Sequence, residues 1–99
     1  RHLELTPAYD LCPQLRSGTE ANQAMDISRD GRRASTFATC VAAAEDYGLA
    51  RQEARDLVDH QVATIRDAWN DAAEAAQLTR VDRAALFGRQ ILNAYAFTQ

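Results

Sequence analysis

The chain has 99 residues and a formal charge of −3, fourteen acidic residues standing against eleven basic ones, with 46% hydrophobic and 25% charged residues. That is material for one small globular domain with a single core; it is too short for two ordinary domains and too apolar for a disordered segment. Every base is an arginine, which excludes a lysine Schiff base and any phosphate-binding loop or kinase site furnished with its own lysine, and the acidic balance argues against direct nucleic-acid binding.

Composition divides the chain near Ala34, giving a strand-and-loop segment over 1–33 and a helical segment over 34–99. Leu3-Glu4-Leu5-Thr6 alternates apolar and polar and is stopped by Pro7, the pattern of a strand end. Gln14 to Asn22 is polar, contains Ser17-Gly18-Thr19 and reads as an exposed loop. Met25-Asp26-Ile27-Ser28 repeats the alternation and runs into Arg29-Asp30-Gly31-Arg32, where Asp-Gly is a favourable tight-turn pair. Two short strands make no stable sheet alone. They either cover the helices or form the edge of a sheet continued upstream, and the absence of an initial methionine favours the second.

The helical segment opens with Ser35 as N-cap, followed by Phe37, Cys40, Val41, Ala44 and Tyr47 at three-and-four spacing, with Gly48 placed for a left-handed cap. A second helix is predicted from Ala50, with Leu57, Val58, Val62, Ile65, Trp69, Ala72, Ala73 and Ala76 on one stripe. At about 1.5 Å per residue it would span about 40 Å, long enough to expect a kink near Asn70. Thr79-Arg80-Val81-Asp82 resembles a capping box. It starts a third helix that buries Val81, Ala84, Ala85, Gly88, Ile91, Leu92 and Tyr95. The predicted core joins Trp69 to Leu57, Ile65, Ile91 and Leu92.

No apolar run approaches the ~18–20 residues of a membrane span and no secretory leader is visible, so the expectation is a cytoplasmic protein without membrane contact. Cys12 and Cys40 each sit among apolar neighbours, without another Cys or His at metal-ligand spacing, and read as reduced core residues.

Few residues offer chemistry. Asp10 follows a short strand, a proline and Tyr9, and a carboxylate at a strand end either holds a divalent cation against phosphates or caps a turn. His60 lies near the apolar stripe of the second helix and reads as partly buried, with His2 far away in sequence. Asp56, Asp59, Asp67 and Asp71 alternate with Arg55 and Arg66 and read as a solvated ion-pair face rather than metal ligands. Arg29, Arg32 and Arg33 at the turn are either exposed turn residues or a grip for a phosphate or an acidic partner.

Leu5-Thr6-Pro7-Ala8-Tyr9-Asp10 resembles the L-x-P-x-Y-D segment of the HipA family, bacterial serine/threonine kinases of toxin–antitoxin modules. The likeness continues through Gln23-Ala24-Met25-Asp26-Ile27, Arg33-Ala34-Ser35, Ala38-Thr39-Cys40 and Asp59-His60-Gln61-Val62 to Phe87-Gly88-Arg89-Gln90-Ile91-Leu92-Asn93. It departs at Asp26, where a small or apolar residue is expected, and at Ala50, where a serine-type cap would be usual. The resemblance implies a mainly α fold, the helical C-terminal part of a kinase-like C-lobe, with three helices preceded by a β-hairpin-like segment. It also implies that Asp10 holds Mg2+ on the ATP phosphates with Tyr9 beside the nucleotide, and that the catalytic base, the metal-binding Asn, the phosphate-contacting Lys and the N-terminal lobe belong to sequence upstream of Arg1. The intact protein would phosphorylate a protein substrate such as an aminoacyl-tRNA synthetase and pair with a HipB-like DNA-binding antitoxin. The isolated chain would be inactive. The alternative from another class is a non-catalytic helical protein-interaction domain.

Overall fold

The computed structural model describes residues 4–9, 18 and 20–99. The described chain is mainly α, with helices α1 (Phe37–Ala42), α2 (Arg51–Ala75) and α3 (Arg80–Leu86), and with 3₁₀ turns at Ala44–Tyr47 and Ala94–Phe97. No helix among the described residues is long and apolar enough to cross a membrane.

Neither predicted strand forms among the described residues. Glu4–Tyr9 is irregular and exposed. A hairpin-like pairing does exist, displaced from Met25–Ser28 toward its flanks. Asn22 and Ala34 form an isolated antiparallel bridge, supported by Gln23 N–H to Arg33 O at 2.6 Å and Ser35 N–H to Ala21 O at 2.8 Å. A turn closes it, with Gly31 N–H donating to Ser28 O at 3.1 Å and Gly31 at φ 87°, as the Asp-Gly pair predicts.

The first predicted helix is broken in two. Thr36, not Ser35, is the N-cap, its side chain accepting from Thr39 N–H at 3.1 Å, while Ser35 accepts from Gln23 Nε2 at 2.8 Å in the hairpin. The α-helix ends at Ala42, Ala43 is its C-cap, and a 3₁₀ turn follows, closed by Gly48 in the left-handed region at φ 78° as the spacing predicts.

Helix α2 runs unbroken for 25 residues, with no break at Asn70. Asn70 is solvent-facing, and nothing in the sequence interrupts the hydrogen-bond ladder there. Its start lacks a side-chain cap. Ala50 has no side-chain acceptor, and only the return half of a capping box remains, Ala50 N–H donating to Glu53 Oε1 at 3.2 Å. Its end is a Schellman motif. Leu78 N–H donates to Ala73 O and Gln77 N–H to Glu74 O, each at 3.0 Å, which puts Gln77 at φ 57° where glycine is the usual residue.

Helix α3 is capped by Thr79, which accepts from Asp82 N–H at 3.1 Å, but it stops at Leu86, well short of the predicted end. Gly88, expected on a helical face, takes φ 84° and turns the chain so that its N–H donates to Ile91 O at 2.7 Å. The Leu86 carbonyl accepts from Arg89, Gln90 and Ile91. Asn93 then donates to Arg89 O at 2.6 Å and accepts from Tyr95 N–H at 2.7 Å, starting the last 3₁₀ turn. Gly88-Arg89-Gln90-Ile91-Leu92-Asn93 is therefore a hydrogen-bonded corner rather than a helix.

Small side chains make the core. Ala43, Ala44, Ala54, Val62 and Ala73 are the buried hydrophobic residues among those described. The predicted stripe splits along its length: Val62 and Ala73 face inward with Val58 and Trp69 half-buried, whereas Leu57 and Ile65 are 47% and 40% exposed. Ile91 and Leu92 are half-buried. Trp69 is likewise half-buried and packs on Phe87, ring centroids 5.6 Å apart at 30°, so it pins the corner after α3 instead of filling a central core. The buried polar residues Ser28, Thr36 and Thr39 are all hydrogen-bonded.

Two of the positive-φ sites, Gln77 and Gly88, predict opposite responses. Gln77→Gly relieves a left-handed side-chain residue at the end of α2 and should raise stability by about 0.5–1 kcal/mol. Gly88→Ala meets no neighbour within 4 Å and should cost about 1 kcal/mol from backbone conformation alone. Urea midpoints that move together would contradict the assignment. Trp69→Ala, removing a half-buried ring, should cost about 2 kcal/mol, below the 3–5 kcal/mol of a fully buried one. A loss at the upper figure would place Trp69 in a central core after all.

Candidate functional site

The site residues named from sequence are only partly within reach of the structure. Tyr9 lies in the irregular 4–9 segment with its side chain free in solvent, 75% exposed. Asp10 lies outside the described residues, as do His2 and Cys12. Among the described residues no group of three or more His, Cys, Asp or Glu could hold a metal ion. A complete magnesium site is thus not formed by the described residues alone.

His60 is exposed rather than partly buried; its backbone carbonyl accepts from Thr64 Oγ1 at 2.9 Å. Cys40 is a free thiol, as expected, but on the surface and not in the core. Asp56, Asp59, Asp67 and Asp71 are all exposed. The expected ion pairs with Arg55 and Arg66 do not form; Asp56 accepts instead from Gln52 Nε2 at 2.9 Å.

The turn arginines are each matched by an acid of this chain: Arg29 with Asp46 at 3.7 Å, Arg32 with Asp30 at 3.1 Å and Arg33 with Asp26 at 3.7 Å. Asp46 also accepts from Arg29 N–H at 3.0 Å, so the turn is held against the 3₁₀ turn that carries Asp46. Tyr47 adds a bond from its hydroxyl to Ile27 O at 2.6 Å. Arg29 and Tyr47 thus fasten the hairpin to the 3₁₀ turn, whereas Arg32 and Arg33 pair within the hairpin itself. The Asp26 carboxylate is the partner of Arg33.

The Asp30 carboxyl is held below the ordinary aspartate value of 3.8, first by the hydrogen bond from the Ser28 hydroxyl and then by Arg32. A depressed folded-state pKa contributes stability that is complete above the unfolded value and is lost as pH falls through the folded one. The turn should therefore loosen only in acid below about pH 3.8. In Ser28→Ala, a carboxyl titration followed by carbon NMR should show the Asp30 pKa raised; an unmoved titration would remove the hydroxyl as its cause.

Two concavities flank the contact of α1 with α2. An apolar one of about 370 Å³ is lined by Ile27, Cys40, Ala44, Leu49, Ala54 and Leu57. A larger groove of about 790 Å³ runs between α1, α2 and the last 3₁₀ turn. Its floor is Phe37, Val41, Val58, Val62 and Phe97, and Arg51, Arg55 and Arg66 stand on its wall. Phe37 and Phe97 meet edge to face at 5.2 Å, and the Arg66 guanidinium lies 5.8 Å from the centre of the Phe97 ring. Sequence reasoning assigned Arg55 and Arg66 to a solvated ion-pair face. Their eleven-residue separation, three helical turns, was the available signal that they share an edge with Val58 and Val62. That Phe37 and Phe97 complete the floor is a tertiary fact with no local signature.

No family model, curated protein or solved structure matches the chain.

Proposed function

We propose that this chain is the C-terminal part of a HipA-like serine/threonine protein kinase, in which Asp10 holds Mg2+ on the ATP phosphates with Tyr9 beside the nucleotide. The observation that carries the reading is the order and spacing, across nearly the whole chain, of Leu5-Thr6-Pro7-Ala8-Tyr9-Asp10 and Gly88-Arg89-Gln90-Ile91-Leu92-Asn93. Two features support it. The chain after Ala34 is helical, as a kinase-like C-lobe requires. The glycine and asparagine of the closing motif each make a backbone or side-chain contact that few other residues supply, so both residues have a physical role in this chain. In this reading the protein substrate is of the aminoacyl-tRNA synthetase class and the partner a HipB-like DNA-binding antitoxin, in the cytoplasm.

A second reading, a non-catalytic helical interaction domain, is favoured by the large apolar side chains left in solvent. Met25 is 81% and Val81 77% exposed, beside Leu57 and Ile65 on α2. Apolar surface so distributed suits a unit that packs on further protein.

One experiment separates them. In the full-length protein, Asp10→Asn keeps the side-chain shape and removes the charge that holds a hard cation. Phosphoryl transfer should fall by orders of magnitude, ATP affinity should weaken with magnesium present and change little without it, and the melting temperature should stay within a few degrees. The 99-residue chain alone, lacking lysine, should turn over no ATP. Wild-type magnesium-dependent affinity in calorimetric titration of the variant refutes the kinase role of Asp10 and leaves the interaction domain.

A further inference from the structure

The charges of α2 are segregated around its axis. At about 100° per residue, Arg51, Arg55 and Arg66 fall within an arc of about 60°. Glu53, Asp56, Asp67, Asp71 and Glu74 fall within another arc of about 60°, centred about 140° away. The arginine arc is the wall of the groove whose floor is Phe37, Val41, Val58, Val62 and Phe97. Of the acids on α2 only Asp59 lines that groove, and it makes no salt bridge to Arg55 or Arg66. The side chains of Arg51 and Arg55 have no hydrogen-bond or ion-pair partner among the described residues, and Arg66 contacts only the face of Phe97. This contrasts with the hairpin, where Arg29, Arg32 and Arg33 are each paired with an acid of the chain. An excess of positive charge therefore lines one groove with an apolar floor, in a chain whose net charge is −3.

We propose that this groove docks an acidic amphipathic peptide segment of a partner protein, whose apolar side chains sit on the Phe37–Phe97 floor and whose carboxylates meet Arg51, Arg55 and Arg66. Charge complementarity selects the occupant. The three guanidiniums span about 22 Å of helix, the reach of a short peptide rather than of one small anion. Planar guanidinium forks suit carboxylates, and the aliphatic and aromatic floor demands apolar side chains between them. A nucleic acid would bring the same negative charge, but no apolar side chains for Val41, Val58 and Val62, and it would be repelled by the net negative remainder of the chain. A second copy of the chain offers the acidic arc of α2, but that arc carries no large apolar residue to fill the floor. The proposal does not rest on the kinase reading: it needs neither Asp10 nor ATP.

The test uses the 99-residue chain and a fluorescein-labelled 14-residue peptide with leucine at helical three-and-four spacing and glutamate elsewhere. Fluorescence anisotropy should show saturable binding that weakens with added salt. Replacing glutamate by lysine should abolish it, and replacing leucine by serine should weaken it at least tenfold. Arg51→Glu with Arg55→Glu, both at exposed positions, should weaken binding about tenfold to thirtyfold, since two attractive pairs become repulsive. Circular dichroism checks that this variant is folded. If it is not, Arg51→Ala with Arg55→Ala should still show a severalfold loss and a shallower salt dependence. Binding unchanged in the folded charge-reversed variant overturns the proposal, as does no binding at millimolar peptide. A labelled oligothymidine binding as tightly as the acidic peptide would assign the groove to nucleic acid instead. Sedimentation showing a dimer that the charge reversal dissolves would assign it to a second copy. Loss of magnesium-dependent ATP binding on Asp10→Asn in the full-length protein bears on none of these outcomes, so the two readings fail separately.

Discussion

The packing of α1 and its following 3₁₀ turn against the inward stripe of α2 governs the rest of the architecture. Ala43, Ala44, Ala54 and Val62 are buried around this contact, and helices whose facing residues are small approach at the short end of the usual interaxial distance. Close approach leaves no room between the helices for large side chains. Leu57, Ile65, Phe87 and Phe97 lie at the margins, where each is more than a third exposed. Because an alanine buries little apolar area, the contact gains correspondingly little from the hydrophobic effect, and order at the edges depends on specific bonds: the Trp69–Phe87 stack, the Phe37–Phe97 edge contact and the side chains of Tyr47 and Asn93. The groove and the apolar hollow on either side of α1 are the geometric result of narrow helices meeting between wide margins.

What the sequence made legible follows from which forces act locally. The long helix was readable because its 3.6-residue period persists over seven turns, and its uncapped start because an alanine cannot accept a capping bond. The cap at Thr79 and the left-handed glycine at 48 were readable for the same reason, each being settled within four residues. The misreadings fall where one local signal competes with another. Ser35 and Thr36 both suit an N-cap, and the hairpin took Ser35 through Gln23, leaving the cap to Thr36. Gly88 continues the apolar spacing of α3 while also being the residue best able to leave a helix, and its positive φ decided the matter. The split of the α2 stripe was not readable at all. Val62 is inward and Ile65 outward because of where α1 crosses, and periodicity fixes a face only to within about one residue's rotation. Of the candidate site, Asp10 lies outside the described residues and Tyr9 is exposed, while the groove floor joins residues sixty positions apart in sequence, beyond any local pattern.

The arginines show how one residue type acquires two roles by spacing. In the hairpin, acids stand within a turn's reach: Asp30 two residues before Arg32, and Asp26 across the turn from Arg33. On α2 the partner positions are three and four residues away. For Arg51 these hold Tyr47, Gly48, Ala54 and Arg55; for Arg66 they hold Val62, Ala63, Trp69 and Asn70. Neither has an acid there. Only Arg55 does, at Asp59, and no salt bridge forms. The helix thus keeps its acids out of phase with its arginines, at the cost of the modest stabilisation that in-phase pairs would add. Such pairs are absent while lengths of helix face are uniformly charged, so the net charge of −3 misdescribes the surface a partner meets. A partner approaching the acidic arc and one approaching the arginine wall encounter fields of opposite sign on the same 25-residue element, and the apolar floor lies beside only the second.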